Sequence, residues 1–165
     1  MSTAPRPTES DDVQIDVENP ETLDAIFCIE RYFAELDGRF DGGFEPGRSI
    51  PADADELVEP HGLLLVARRA GGPIGCAAIK FHGADPAEVK RMWVAATARG
   101  LGLGRRLLVA VERRAAARGV TALRLETNRS LTEAIALYRS AGYTEVEAFN
   151  DEPFAHHWFE KHLGT

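Results

Sequence analysis

Residues 88–108 read EVKRMWVAATARGLGLGRRLL. The run Glu88–Val94 has strand character, three glycines follow at alternate positions, and Leu107, Leu108, Val111 and Ala115 then recur at helical spacing until Gly119. The pattern is strand, Gly-rich loop, then a helix to about Arg118 closed by a glycine at C′. Val120–Thr127 is apolar and β-branched again, so a second strand follows the helix. Two strands joined through a helical crossover lie parallel. This one β–α–β unit decides the fold class.

Upstream of it the signals are those of an antiparallel meander. Leu63–Arg68 is a buried run, Ala70–Pro73 supplies a hairpin turn, Ile74–Phe81 returns, and His82–Pro86 turns into Glu88–Val94. Earlier still, Val13–Val17 alternates as a first strand. Asn19-Pro20-Glu21 reads as a helix start, with Asn19 as N-cap and the helix continuing to about Leu36. About twenty residues rich in Gly, Pro and Asp follow it, and long loops of this kind often bind ligands. Downstream, Leu131–Ala141 is helical and ends at Gly142, while Tyr143–Phe149 and His156–His162 close the chain as a hairpin. The expected fold is mixed α/β: one twisted, largely antiparallel sheet with a β–α–β crossover and helices on both faces. Residues 13–165 are expected to form one domain behind a flexible tail at 1–12.

Composition sets outer limits. The chain has 165 residues, 44% of them hydrophobic and 27% charged, which suits a globular protein rather than a disordered one. No window approaches a membrane span, and the N-terminus lacks the apolar region of a secretory signal. Two cysteines, Cys28 and Cys76, offer neither a disulfide framework nor a thiolate cluster, which fits reduced thiols and a cytoplasmic location. The net charge of −7 is unevenly spread. Residues 1–60 hold 4 basic against 16 acidic side chains, whereas 85–129 hold 10 against 4. That asymmetry suggests an anionic ligand at the basic middle and a cation at the acidic start. The acidic total and the lack of basic–aromatic interleaving exclude nucleic acid as the natural partner.

The Gly-rich loop has the context of a phosphate cradle: glycines for close approach, exposed N–H groups at a helix start, and flanking Arg99, Arg105 and Arg106. A P-loop requires Lys-Ser/Thr after its last glycine, and Gly104 is followed by Arg105-Arg106. The G-x-G-x-G spacing also misses the dinucleotide fingerprint, and Arg118-Gly119 stands where its ribose-binding acid belongs. A coenzyme A pyrophosphate site remains. Here the chain resembles the GNAT superfamily of acyl-CoA-dependent N-acetyltransferases, whose signature [RQ]-x-x-G-x-[GA] is filled from Arg99 to Gly104 behind a strand ending in Val94. Asn128, then Ala134 through Leu137-Tyr138 to Gly142-Tyr143, is similar to a second family segment. The resemblance spans about Leu63–Tyr143. Ala96 departs from a common Pro without touching the chemistry.

The resemblance implies acetyl-CoA as co-substrate and no metal. It places the pyrophosphate on Arg99, Gly100, Leu101, Gly102, Leu103, Gly104 and Arg105. The backbone of Met92, Trp93 and Val94 would pair with the pantetheine arm and polarise the acetyl carbonyl. Asn128 is left between capping the following helix, with Ser130 as its rival, and contacting cofactor or substrate. Tyr138 matches the tyrosine that protonates the leaving thiolate, although Leu131, Ile135 and Tyr138 also share a face that could simply be core. Glu88 resembles a general base used by some members, with Glu35, Asp37 and His82 as alternatives. Alternation would put Glu88, Lys90, Met92 and Val94 on one face. The acidic segment Glu30–Glu45, with Phe33, Phe40 and Phe44, lies where relatives build the substrate wall. Phe33 and Glu35 are its candidate substrate contacts, suited to a cationic amine unless this is only a solvated face. The histidines show no metal-ligand spacing, and Trp158 and Phe159 either pack a closing strand or line a homodimer contact. The function implied is acetyl transfer to the primary amine of a small cationic metabolite, with no membrane partner. A protein Lys or N-terminal acetyltransferase, and a non-catalytic acyl-CoA sensor, are the alternatives.

Overall fold

The computed structural model describes residues 12–83 and 85–164. The expected tail therefore lies outside the described residues except for Asp12. Seven strands form one sheet: β1 (Val13–Val17), β2 (Gly62–Arg69), β3 (Gly72–His82), β4 (Asp85–Val94), β5 (Ala122–Thr127), β6 (Thr144–Val146) and β7 (His157–His162). Their order across the sheet is β1-β2-β3-β4-β5-β7-β6, and only the β4–β5 pair is parallel. Three α-helices, α1 (Leu23–Arg39), α2 (Leu103–Ala117) and α3 (Thr132–Ser140), complete the expected mixed α/β architecture. No helix among the described residues is long and apolar enough to cross a membrane.

The two sheet faces are covered by different helices. On one face the α2 stripe Leu107, Leu108, Val111 and Ala115 is at most 1% exposed and packs on Leu65, Ala77, Ile79, Val89 and Leu125. Each buried Leu or Val of this kind is worth about 1.5–3 kcal/mol. On the other face Ala25 and Cys28 of α1 meet Leu64, Val66, Cys76, Ala78 and Trp93. Both thiols are free and buried there. The long loop after α1 is built on single turns of 3-10 helix at Pro46–Arg48 and Ala54–Leu57, and it buries Ala52 and Leu57 against the same face.

Several boundaries differ from the sequence reading. Thr22, not Asn19, caps α1: its hydroxyl accepts from the Ala25 amide at 3.2 Å. Asn19 instead closes an Asx turn by accepting from the Glu21 amide at 2.8 Å, which delays the helix by one turn. α1 then runs on past Leu36 to Arg39. The last strand before the closing hairpin covers Thr144–Val146 rather than Tyr143–Phe149. Phe159 is fully buried in the core and thus is not a dimer contact. Trp158 is held by its indole N–H donating to Asn150 Oδ1 at 2.9 Å.

One irregularity shapes everything that follows. Cys76 pairs with Trp93 and Ala78 with Lys90, so β4 carries one residue more than β3 between those partners. This is a β-bulge at Arg91–Met92, with Arg91 at φ +53°. The extra residue reverses the alternation. Ala87 and Val89 face α2, Met92 and Val94 also pack on that side, and Trp93 faces α1. Glu88 and Lys90 therefore do not share a face with Met92 and Val94.

Candidate active site

Parallel pairing of β4 with β5 is confined to Ala87–Leu123 and Glu88–Arg124. Beyond Glu88 the two strands separate, which frees the β5-facing backbone of β4 where the bulge lies. Two hollows meet in that opening. A cleft of ≈ 410 Å³ runs between the end of β4, the Gly-rich loop, α1 and α3. A smaller cavity of ≈ 80 Å³ lies between β4 and β5 under α1 and the loop segments around Ser49 and Glu152. Tyr32, Leu36, Met92, Leu131, Ala134 and Tyr138 line both.

The cleft gathers most of the expected cofactor residues: Met92, Trp93, Val94, Arg99, Gly100, Gly102, Leu103, Gly104 and Arg105. Gly102 is the N-cap of α2 at φ +69°, no side chain caps the helix, and no atom lies within 4 Å of where a Cβ would stand. The first-turn amides of α2 thus face open space with the positive end of the helix dipole behind them, which suits a pyrophosphate. Gly104 serves close packing instead, because a Cβ there would sit 2.8 Å from Leu137 Cδ2. Arg105 donates to Ser140 Oγ at 2.6 Å across the cleft. The Leu101 side chain is half exposed at the loop tip and off the cleft wall, and Arg106 turns away to donate to the Val13 carbonyl at 3.2 Å.

Glu35 is also placed differently from its expected substrate role. It lines the larger cleft and forms an ion pair with Arg99, and lies 3.8 Å from Arg39. Phe33 lies off both hollows and carries the Arg91 guanidinium over its ring at 4.8 Å. Asn128 lines the smaller cavity rather than the cleft, and its amide is occupied by the Phe154 carbonyl at 2.7 Å and by the Ser130 hydroxyl and amide. Neither Asn128 nor Ser130 caps α3, whose N-cap is Leu131. Asp37 receives the Phe44 amide at 2.9 Å and so fixes the loop.

Tyr138 stands at the junction. Its ring is 6.0 Å from those of Tyr143 and Phe159, so it is part of the core while also lining both hollows. Burial, reinforced by Tyr32 and Glu126, raises its pKa well above that of a free phenol. Burial likewise pushes Tyr32 up to about 12. Both hydroxyls keep their protons at neutral pH.

Glu88 lines neither hollow. Burial works to raise its pKa, but the Lys90 ammonium 3.1 Å away, with His82 at 2.7 Å on the other oxygen, outweighs burial and holds the carboxyl below its ordinary range. Off both hollows and paired on each oxygen, Glu88 serves as a counter-ion. Lys90 shows the converse balance: burial would lower its pKa, and Glu126 and Glu88 together raise it. Glu126 is the residue the sequence reading missed. It lines the smaller cavity, receives Lys90 Nζ at 2.6 Å on Oε1, and leaves Oε2 buried without a partner among the described residues. A carboxylate alternating with Arg124 between the apolar positions of β5 was its one signal.

These features coincide with known proteins. The model of the acetyltransferase (GNAT) family matches residues 29–143. The chain belongs to the GNAT acetyltransferase family. Members take the acetyl group from acetyl-CoA. The IAA acetyltransferase of Azospirillum brasilense is 44% identical over 124 residues, covering 74% of this chain and 80% of that one. A Klebsiella pneumoniae structure that carries the name acyl-CoA N-acyltransferase is 28% identical with a TM-score of 0.79, covering 93% and 99% of the two chains. A GNAT acetyltransferase of Elizabethkingia anophelis with acetyl-CoA bound has a TM-score of 0.62 at 18% identity, covering 91% and 97%, a likeness of fold alone.

Proposed function

We propose that this GNAT acetyltransferase moves the acetyl group of acetyl-CoA to the primary amine of a small molecule, by direct attack while both substrates are bound. The observation that carries the reading is the meeting of the donor cleft and the ≈ 80 Å³ acceptor cavity at Tyr138 and the opened edge of β4. A cavity of that size favours a small acceptor over a protein surface. The A. brasilense relative is named for transfer to IAA, so small acceptors are also represented among similar proteins.

Bound acetyl-CoA would supply an activated thioester; the chain supplies position and proton handling. Those backbone donors of Met92–Val94 that the splay frees from β5 would stabilise charge developing on the acetyl oxygen. Glu126 draws the ammonium in, and its free Oε2 takes the proton that the amine must lose. Tyr138 donates a hydrogen bond to the departing sulfur, a task its raised pKa lets it keep across the working pH range. Among the described residues no thiol lines either hollow, and the Ser49 hydroxyl on the smaller cavity is bonded to Glu152, which supports direct transfer over a covalent acetyl-enzyme. Initial rates varied over both substrates are expected to give intersecting lines, and parallel lines would refute direct transfer. Glu126→Gln is expected to lower turnover about 10²- to 10⁴-fold at neutral pH. Retained turnover would remove Glu126 from the mechanism.

A further inference from the structure

Among the described residues, three buried side-chain polar atoms lack a hydrogen-bond partner: Glu88 Oε2, Arg91 Nε and Glu126 Oε2. Glu88 Oε2 still faces the Lys90 ammonium at 3.1 Å. The other two belong to residues on the wall of the acceptor cavity, and they are of opposite kind, a cationic donor and an anionic acceptor. Native proteins rarely leave such groups unanswered, because each costs free energy until a ligand or water satisfies it.

The charges around them are otherwise balanced. Lys90 is matched by Glu126 and Glu88. Glu152 receives the Ser49 hydroxyl, the Ile50 amide at 3.0 Å and the Phe154 amide at 3.4 Å. Arg91 has no carboxylate within ion-pair distance among the described residues; its Nη2 reaches only the Ala52 carbonyl at 3.5 Å, and its guanidinium rests on Phe33. It is a cation over an aromatic ring, with Nε unpartnered and no carboxylate beside it, on a residue that lines the acceptor cavity. A guanidinium so presented matches a carboxylate. Its place on the bulge matters too. Arg91 precedes Met92, the first backbone position proposed to serve the acetyl group, and follows Lys90, which carries Glu126.

We propose that the acceptor is a zwitterion, an α-amino acid with an apolar side chain, whose carboxylate binds Arg91 while its ammonium is received by Glu126. This rests on the reading of the site as an N-acetyltransferase and names its substrate class. The two anchors stand on the wall of one small cavity, Arg91 on β4 and Glu126 on β5, as the two charges of one small zwitterion require. Phe40, Phe44 and Phe154, which pack ring against ring on the same cavity, offer the apolar wall for the side chain. Polyamines and other polycations leave Arg91 unanswered.

The test compares leucine with leucinamide and isoamylamine, which keep the amine and the apolar chain but lack the carboxylate, by release of coenzyme A thiol. The wild-type enzyme is expected to prefer leucine by about 10- to 100-fold in kcat/KM, the range of one charge-assisted contact. Arg91→Gln should collapse that ratio toward one, mainly through the KM for leucine, and Arg91→Lys should retain part of it. Equal or better use of the two analogues without a carboxylate by the wild type, with thiol still released, overturns the amino-acid proposal and leaves the transferase reading standing. A ratio unchanged in Arg91→Gln removes Arg91 as the anchor. Absence of thiol release from every amine overturns both together. Should Arg91→Gln not fold, the wild-type ratio and Arg91→Lys still decide.

Discussion

Removing one oxygen atom from Tyr138 separates its structural role from its chemical one. The ring is 5% exposed and packs against Tyr143 and Phe159, and Phe in its place keeps those contacts. The hydroxyl makes no hydrogen bond to another described residue, so its loss should change stability by less than about 1 kcal/mol. For a chain of this size that is a shift in Tm of no more than about 2–4 °C. Tyr138→Ala, by contrast, would open a cavity and cost about 3–5 kcal/mol. Affinity for acetyl-CoA should also survive in Tyr138→Phe, because the proposed pyrophosphate seat is at the start of α2 rather than on α3. Turnover should not. A donor aimed at the leaving sulfur is worth about 10²- to 10³-fold, or about 3–4 kcal/mol of barrier. The assay pairs thiol release under saturating acetyl-CoA with a thermal melt and a calorimetric titration. Turnover within about threefold of wild type, with binding intact, would refute the placement of Tyr138 at the sulfur. The pH profile offers a second check. The wild-type enzyme should show no alkaline loss of kcat near the ordinary phenol value, since burial has moved that ionisation upward.

Other perturbations follow from the same geometry. Gly102→Val forces a branched side chain into φ +69° and into the seat of the pyrophosphate. It should abolish acetyl-CoA binding in a titration while the backbone strain costs only about 1–2 kcal/mol in a melt. Glu35→Gln releases Arg99 from its carboxylate partner, so a calorimetric titration should show acetyl-CoA bound a few-fold more tightly, the modest size following from an exposed pair (Arg99 45% exposed). Weaker binding would mean that Glu35 positions Arg99 rather than competes for it. Lys90→Met leaves the Glu88 and Glu126 carboxylates buried without their cation and should cost about 3–5 kcal/mol near neutral pH. The wild-type contribution of Glu88, whose folded pKa is depressed, is present above its ordinary 4.5 and is lost as pH falls through the lower folded value. That of Lys90, raised from 10.5, is present below that value and lost as pH rises through the higher one. The melting gap between wild type and Lys90→Met should therefore narrow toward acid pH.

The features legible in sequence were those with a local physical signature. Three glycines between an apolar strand and an amphipathic helix can hardly be anything but a loop at a helix start, and the crossover that follows dictates the parallel pair. The acceptor side was hidden for a different reason. The bulge at Arg91 carries no Gly or Pro to announce it, and one inserted residue exchanges the faces of every side chain beyond it. Alternation alone therefore set Glu88 and Met92 side by side, whereas the folded strand separates them. Glu126 escaped because it sits in a strand read only for its apolar positions. Its importance depends on Lys90, 36 residues away in sequence and 2.6 Å away in space. Glu35 shows the same limit: its acidity was plain, but its partner Arg99 stands 64 residues on. Charges acquire roles from their neighbours, and neighbours across a sheet are set by register.

The most direct test of the central claim is a calorimetric titration of the purified protein with acetyl-CoA, followed by thiol release across a panel of amines. The account predicts saturable binding and thiol release that appears only when an amine is added. Binding with no amine-dependent thiol would contradict acetyl transfer to a small amine. No binding at all would contradict the assignment of the Gly-rich loop.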